Sequence, residues 1–298
     1  MALPPINPAL GIELVASRTL ERRVATVSVV IPAHNEEQSI TEVVSESARG
    51  LAMLDVPGEV IVSASGCTDR TVEVARGAGA KVVESGIGKG MAILGGVEAS
   101  VGDVVCLVDG DVRYYGDPPL VPLLVEPILN GIADATISDL YWRPLYPQLW
   151  LHGFFAPLAG TLFPELLPKA GSTPWSGQRA AVRELWPDVL PAGFTSDLAL
   201  LLHWNDHAVR MRPVLADDWV NPQRPKPELM EQEFALITEH AVRSARIGPE
   251  AVGHLRGWFE SSHQLMAEYD PDRHDSQEFE MAVLNRSLSE LRTRLYPA

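Results

Sequence analysis

The sequence predicts an α/β protein: a mostly parallel β-sheet flanked by helices and followed by a helical C-terminal extension. Three observations lead to this prediction. Short β-branched runs alternate with helical segments over residues 27–108, turn residues separate these segments, and helical periodicity replaces the alternation after residue 228. Strand–helix alternation at this spacing builds parallel sheets with right-handed crossovers, and ligands bind such sheets beyond the carboxyl ends of the strands.

Four buried strands are predicted in the first part of the chain, because each run is short, apolar and bounded by turn residues. They cover residues 27–31, 59–63, 81–83 and 103–108. The first helix is expected to open at Asn35, with acidic residues in its first turn, as the helix dipole favours. The next two helices are expected over residues 72–77 and 91–99.

After residue 120 the pattern is less regular. Pro122 suits the first turn of a helix over residues 121–129, whereas Pro127 conflicts with its second half. Later strands are predicted over residues 135–140 and 209–215. Later helices are predicted over residues 194–205, 228–246, 251–267 and 276–294. The acidic residues within 228–239 recur at helical spacing and are expected to form a solvated face.

A pair of carboxylates closes the fourth predicted strand, where Asp109-Gly110-Asp111 follows an apolar run. Two carboxylates at the end of a buried strand are costly unless a cation neutralises them. Alternate residues would direct both toward one crevice, where a divalent ion can bridge them to a diphosphate. The alternative is an Asp-Gly turn with solvated carboxylates.

Other turns between strands and helices carry groups that could bind a nucleotide. Residues 32–36 follow the first strand and, with the helix N-terminus, offer hydrogen-bond donors to a nucleotide. Gly88-Lys89-Gly90 places an ammonium group between two glycines, where the backbone can approach a diphosphate. The alternative is a solvated lysine at a helix start. The turns that follow residues 31, 62 and 108 carry residues 32–36, residues 65–69 and the acidic pair. Because all three fall at the carboxyl edge of the predicted sheet, the sequence predicts a nucleotide site there.

Charge and cysteine content limit the class of partner. The 298 residues carry a formal net charge of −15, which repels phosphate backbones, so no nucleic-acid partner is expected. Cys67 and Cys106 form no disulfide framework, and residues 1–15 lack a signal-peptide pattern, so a cytoplasmic protein is expected. Residues 145–163 contain no Asp, Glu, Lys or Arg, but their prolines favour a packed or interfacial helix over a membrane span.

These motifs give the chain a specific resemblance. It resembles nucleotide-sugar glycosyltransferases of the GT-A (Rossmann-like) fold and, within them, the retaining glucosyl-3-phosphoglycerate synthase family. Segments shared with many family-2 glycosyltransferases are residues 29–37, 66–69, 88–90 and 108–111. Residues 141–145 also match, and residues 174–181 and 193–197 indicate the retaining group. The resemblance implies Mg²⁺ or Mn²⁺ and a UDP-sugar donor, with a GDP-sugar as the alternative.

The resemblance also implies a role for each matching residue. Donor contacts are implied at Pro32, Ala33, Asn35, Glu36, Ser65, Lys89, Asp109, Gly110 and Asp111. Asp111 and Asp109 would hold the metal. Lys89 and Asp197 would be catalytic; Asp197 stands where the family has a Glu near the transferred sugar, and a helix-capping carboxylate is the alternative. Acceptor contacts are implied at Arg143, Trp175, Ser176 and Gly177.

Three departures from the family pattern bear on ligand choice. Ala64 stands where an aspartate usually precedes the Ser-Gly pair, which leaves the nucleotide base open. The family's metal-binding histidine should fall near Asn221, where the sequence has none; Asn221 or Asp218 could replace it. Leu149 and Leu151 stand in place of the Arg and Thr that bind phosphoglycerate, so a more apolar or uncharged acceptor is expected.

The sequence therefore predicts a metal-dependent, retaining glycosyltransferase whose small-molecule acceptor is not 3-phosphoglycerate. Four parts are expected: an N-terminal arm (1–24), a nucleotide-sugar-binding subdomain (25–120), an acceptor-binding subdomain (121–227) and a helical C-terminal extension (228–298) that could serve a homodimer. Two alternatives stay open. One is an inverting family-2-type transferase with a polyprenyl phosphate acceptor at the membrane, and the other is an inactive nucleotide-sugar-binding protein.

Overall fold

A computed structural model describes residues 25–114, 116–139, 149–208, 210–216, 219–220, 227–270 and 272–295 of the chain. The predicted arm at residues 1–24 lies outside the described residues. The same holds for two of the predicted site residues, Arg143 and Asn221.

Nine strands are described. They are β1 (Val27–Ala33), β2 (Gly58–Ser65), β3 (Lys81–Ser85), β4 (Val104–Leu107), β5 (Arg113–Tyr114), β6 (Ala135–Asp139), β7 (Arg179–Val182), β8 (Met211–Leu215) and β9 (Trp219–Val220). Seven of them form one sheet in the order β3-β2-β1-β4-β7-β6-β8, and β5 pairs with β9 in a separate two-stranded sheet. Only β7 runs antiparallel to its neighbours in the seven-stranded sheet. The predicted mostly parallel sheet is thus confirmed.

Ten α-helices accompany the strands in the described part of the chain. They are α1 (Ile40–Met53), α2 (Thr71–Gly77), α3 (Lys89–Ala99), α4 (Leu120–Leu129), α5 (Ala156–Leu162), α6 (Leu167–Ala170), α7 (Ser196–His207), α8 (Pro227–Arg243), α9 (Ala251–Ala267) and α10 (Ser276–Leu295). The expectation that the first helix opens at Asn35 is wrong. Asn35 has a left-handed φ of 60°, which is incompatible with a right-handed helix, so α1 begins only at Ile40.

Alternating side chains of the central strands enter two cores, one on each face of the sheet. In β1, Val29 and Ile31 pack into the core beneath α1 and α4. Val30 points to the opposite face and packs into the core that α3 and α7 share with the C-terminal helices. Both faces of the sheet are therefore covered, as the continuous apolar character of the strands requires.

The C-terminal helices complete the second core by packing on the apolar segment near residue 150. Residues Leu151–Phe155 form a π-helical turn that continues into α5. Phe154 packs against Trp258 of α9, with ring centroids 6.4 Å apart, and edge-on against Phe259 at 5.6 Å. Among the described residues, no helix has both the length and the hydropathy needed to cross a membrane.

The start of α3 lies directly against the loop that leads into α7. The amide of Gly90 donates to the carbonyl oxygen of Ala192 at 3.0 Å. A Cβ atom at Gly90 would lie 1.9 Å from the carbonyl oxygen of Pro191, and one at Gly88 would lie 2.3 Å from that of Ala192. This backbone approach is open only to glycine, and it brings the first residues of α3 and α7 together.

We expect Gly90→Ala to destabilise the fold by about 1–3 kcal/mol, because the added methyl group meets a backbone carbonyl that cannot rotate away. The measurement is the free energy of unfolding in urea. Gly253→Ala is the matched control, since a Cβ there meets nothing within 4 Å. It should stabilise α9 by about 0.5–1 kcal/mol. Equal stability of the two variants would contradict the packing described.

Candidate active site

The loops that follow β1 and β2 are tied together at the carboxyl edge of the sheet. His34 Nδ1 lies 2.6 Å from the carbonyl oxygen of Ser65. The side-chain oxygen of Asn35 accepts from the amide of Thr68 at 2.7 Å. Pro32 and Ala33 end β1 beneath these bonds and are buried. Asn35, predicted as a donor contact, thus uses its side-chain oxygen to join the two loops.

Ser65 links the second loop to the start of α3. Its hydroxyl donates to the carbonyl oxygen of Gly86 at 2.9 Å and accepts from the amide of Gly88 at 2.8 Å. The Ser65 residue is only 2% exposed. Because both hydrogen bonds hold the Gly86–Gly88 turn, this hydroxyl fixes where the following Lys89 begins its helix.

Lys89 lies between two carboxylates from distant parts of the chain. Its Nζ atom is 2.9 Å from Asp109 Oδ1, at the end of β4, and 2.7 Å from Asp197 Oδ2, in the first turn of α7. All three side chains are largely buried. Burial opposes the charge, but the two carboxylates outweigh it and raise the pKa of Lys89. The lysine is therefore a permanent cation at the sheet edge.

Asp109 is held on its other side by β7 and the loop before it. Its amide donates to Gln178 Oε1 at 2.9 Å, and its Oδ2 atom accepts from Gln178 Nε2 at 2.8 Å. A Cβ at Gly177 would lie 2.1 Å from that same carboxylate oxygen. Gly177, predicted on the acceptor side, thus packs directly on the Asp109 carboxylate, and both oxygens of Asp109 already have protein partners.

Asp111 lies on the exposed side of the same turn. Nearby, the Ser39 hydroxyl is 2.8 Å from the carbonyl oxygen of Gly110 and 3.0 Å from Glu36 Oε2. Burial raises the pKa of Glu36; its hydrogen bond with Ser39 opposes the shift, and the charge of Asp111 adds to it. Glu36, Asp109 and Asp111 thus place negative charge at one rim of the site.

Arg179 is a fully buried cation that sequence reasoning missed. Its Nε atom donates to the carbonyl oxygen of Ser176 at 2.8 Å, and its Nη1 atom donates to that of Asp197 at 3.0 Å. Its Nη2 atom is 3.9 Å from Asp197 Oδ1. Burial lowers the pKa of Arg179, and Asp197 and Asp109 oppose that shift. A charged residue opening the small-residue strand β7 was the available signal.

The predicted acceptor residues that are described lie behind Asp109. Ser176 is 2% exposed, and its hydroxyl lies 2.6 Å from that of Ser138, at the end of β6. Trp175 packs edge-on against Trp150 and Phe155, at centroid distances of 5.8 and 5.1 Å. Leu151 lies in the core and is 7% exposed. The loop before β7 thus has an aromatic wall on one side and the charged cluster on the other.

Among the described residues, Asp111 is the best candidate ligand for a divalent ion. Its exposed carboxylate suits a hard cation, and the neighbouring carboxylates favour positive charge. Both oxygens of Asp109 are already occupied by Lys89 and Gln178. No group of three or more His, Cys, Asp or Glu residues in the described segments could hold a metal by itself. A metal here would need further ligands, such as the oxygens of a bound diphosphate.

Comparison with known proteins identifies the family. The model of glycosyl transferase family 2 matches residues 28–172. Glucosyl-3-phosphoglycerate synthase of Mycobacterium tuberculosis is 34% identical over 200 residues, which cover 59% of this chain and 60% of that protein. The low-salt glycan biosynthesis hexosyltransferase Agl6 of Haloferax volcanii is 31% identical over 197 residues, covering 63% of this chain and 47% of that protein. The chain thus spans about three fifths of the mycobacterial relative and about half of the archaeal one.

Comparison with solved structures leads to the same family. The crystal structure of Mycobacterium tuberculosis glucosyl-3-phosphoglycerate synthase with Mn²⁺, UDP-glucose and glycerol 3-phosphate superposes with a TM-score of 0.61 at 30% identity. The match covers 74% of this chain and 83% of that one. The chain therefore belongs to glycosyl transferase family 2, has the GT-A fold, and is similar in sequence and structure to glucosyl-3-phosphoglycerate synthase.

Proposed function

We propose that this protein is a metal-dependent glycosyltransferase that moves a sugar from a UDP-sugar to a small-molecule acceptor. The observation that carries the proposal is the buried Lys89 between Asp109 and Asp197, at the edge where parallel sheets bind ligands. Family membership supports sugar transfer. The relative crystallised with Mn²⁺ and UDP-glucose supports the choice of metal and donor.

On the donor side, the loops after β1 and β2 would hold the nucleoside, with Pro32 and Ala33 below it. The Ser65 hydroxyl shapes the Gly86–Gly88 turn, so its part in binding is to set the position of Lys89. The Lys89 ammonium would then lie beside the diphosphate. Its positive charge stabilises the negative charge that develops there as the glycosidic bond breaks.

The metal would sit at Asp111, with the remaining ligands supplied by the diphosphate and by residues such as Asn221. When bound, Mg²⁺ or Mn²⁺ neutralises charge on the departing diphosphate as a Lewis acid. Glu36 and Asp109 lie on the same rim and add negative charge that favours a cation. Asp109 has a different role, because its oxygens already contact Lys89 and Gln178. This carboxylate holds the lysine in position.

Asp197 would act on the sugar. Its carboxylate contacts Lys89 at 2.7 Å and lies 3.9 Å from Arg179. Two cations hold this carboxylate in place and offset its charge, so it is suited to orienting a substrate hydroxyl rather than to moving as a free base. We therefore favour transfer with retention, in which the departing phosphate takes the acceptor proton on the same face of the sugar.

The acceptor is inferred to be uncharged or more apolar than 3-phosphoglycerate. Leu149 and Leu151 stand where the related family has anion-binding Arg and Thr, and the neighbouring Trp150, Phe155 and Trp175 pack together as an aromatic cluster. Apolar and aromatic side chains offer no charge to an acceptor phosphate or carboxylate.

Asp111→Asn should reduce Mn²⁺-dependent turnover of UDP-glucose about 100-fold, because it keeps the side-chain size but removes the charge that holds the metal. UDP release is the measurement. Glu98→Gln, at the far exposed end of α3, is the matched control and should stay within about twofold of the wild type. Full activity of Asp111→Asn would refute the proposed metal position.

The acceptor is tested with a panel of polyols, glycerol 3-phosphate, 3-phosphoglycerate and a short polyprenyl phosphate. We expect transfer to a neutral acceptor, and NMR of the product should show the anomeric configuration of the donor. An inverted product on the polyprenyl phosphate would instead support the membrane-acceptor alternative. Tight UDP binding with no transfer to any acceptor would support an inactive binding protein.

A further inference from the structure

Glu233 is a buried carboxyl group that the proposed chemistry does not use. It lies on α8 within the segment expected to be a solvated acidic face, and that expectation is wrong at this position because Glu233 is 0% exposed. Its Oε2 atom accepts from the indole Nε1 of Trp150 at 3.1 Å. Within the described part of the chain, its Oε1 atom and the buried Nε1 of Trp175 have no hydrogen-bond partner.

The two indoles face one carboxyl group and also each other. Trp150 and Trp175 pack edge-on with centroids 5.8 Å apart. Burial raises the pKa of Glu233 to about 8, while Trp175 and Trp150 oppose the shift and Asp197 adds to it. Glu233 is thus mainly uncharged at pH 7. A buried carboxyl group without a cationic partner is rare unless its hydrogen bonds are needed.

Trp175 connects this carboxyl group to the charged cluster. The next residue, Ser176, accepts a hydrogen bond from Arg179 through its carbonyl oxygen at 2.8 Å, and Arg179 in turn donates to Asp197. One residue further, Gly177 packs against the carboxylate of Asp109. A shift of Trp175 would therefore move the loop that packs on the Asp109 carboxylate and that is linked through Arg179 to the main chain of Asp197.

We propose that Glu233 is a positioning residue for the acceptor side of the site, holding Trp150 and Trp175 so that the loop over residues 174–178 keeps its contacts with Asp109 and Arg179. The acceptor part of this proposal rests on the proposed function. The claim that Glu233 holds the loop does not depend on that function, because it concerns only the folded protein. The C-terminal extension would thereby act on a site built by the sheet.

The first test is amide hydrogen exchange of the loop in the full-length protein. The amide of Ser176 donates to the carbonyl oxygen of Thr173 at 3.0 Å, and the amide of Gln178 donates to Ser176 Oγ at 3.1 Å, so both are protected from exchange. Glu233→Met should speed their exchange about tenfold, because Trp150 loses its acceptor and Trp175, which packs on Trp150, loses its support. Glu233→Gln keeps an acceptor oxygen and should stay within about twofold of the wild type.

Glu239→Met is the matched control, since Glu239 is an exposed carboxylate on the same helix; it should leave the loop unchanged. If Glu233→Met does not fold, Trp150→Phe removes the bonded N–H instead and should also speed loop exchange. The proposal fails if the loop amides keep their wild-type exchange. It also fails if exchange rises equally across α8 and α9, since that would mark a purely structural residue.

The second test separates an effect on acceptor binding from an effect on donor binding. In Glu233→Met, the KM for the acceptor should rise about tenfold, while the calorimetric Kd for UDP with Mn²⁺ stays within about twofold; Glu233→Gln should restore the KM. Parallel loss of both affinities would overturn the positioning role. If the wild-type protein transfers no sugar, the proposed function fails, and hydrogen exchange still decides whether Glu233 holds the loop.

Discussion

The ion pairs of Lys89 with Asp109 and Asp197 are the interaction on which the rest of the site depends. They join the end of β4, the start of α3 and the start of α7, three places that are far apart in the sequence. Two buried carboxylates that both lie within 3 Å of one ammonium group would repel each other if that group were absent. The lysine therefore keeps both acidic side chains together at this edge.

The backbone at the start of α3 allows Lys89 to reach Asp197. Gly88 and Gly90 allow the start of α3 to contact the carbonyl groups of Pro191 and Ala192, which places Lys89 beside the first turn of α7. On the other side, Arg179 reaches Asp197 from β7. The described buried cluster thus contains two cations, Lys89 and Arg179, and two carboxylates. An uncharged Glu233 behind it leaves that balance undisturbed.

Much of this arrangement could be predicted from the sequence. The four parallel strands followed from short β-branched runs, and the sheet edge identified Lys89 and Asp109 as residues that should share a site. The structure brings these two together with Asp197, which only the family resemblance had indicated. Local patterns were sufficient because each motif directly follows a strand or opens a helix, so its position is fixed by its neighbours in the chain.

Other features depend on contacts between distant residues and had at most a weak local signal. Strand β7 is four residues long and opens with Arg179, so it lacks both length and alternation. The charge of Arg179 is stabilised by carbonyl groups that only the folded chain brings near. Glu233 has the helical spacing of a surface residue, and its burial depends on Trp150 and Trp175, which belong to a different part of the chain.

The most direct test of the Lys89 interaction is a double-mutant cycle on the free energy of unfolding in urea. Lys89→Met should cost about 3–5 kcal/mol, because it leaves two buried carboxylates without their cation. Adding Asp197→Asn should then recover at least about 1 kcal/mol of that loss, since one of the two repelling charges is gone. A double variant whose loss equals the sum of the two single losses would contradict the central role of this lysine.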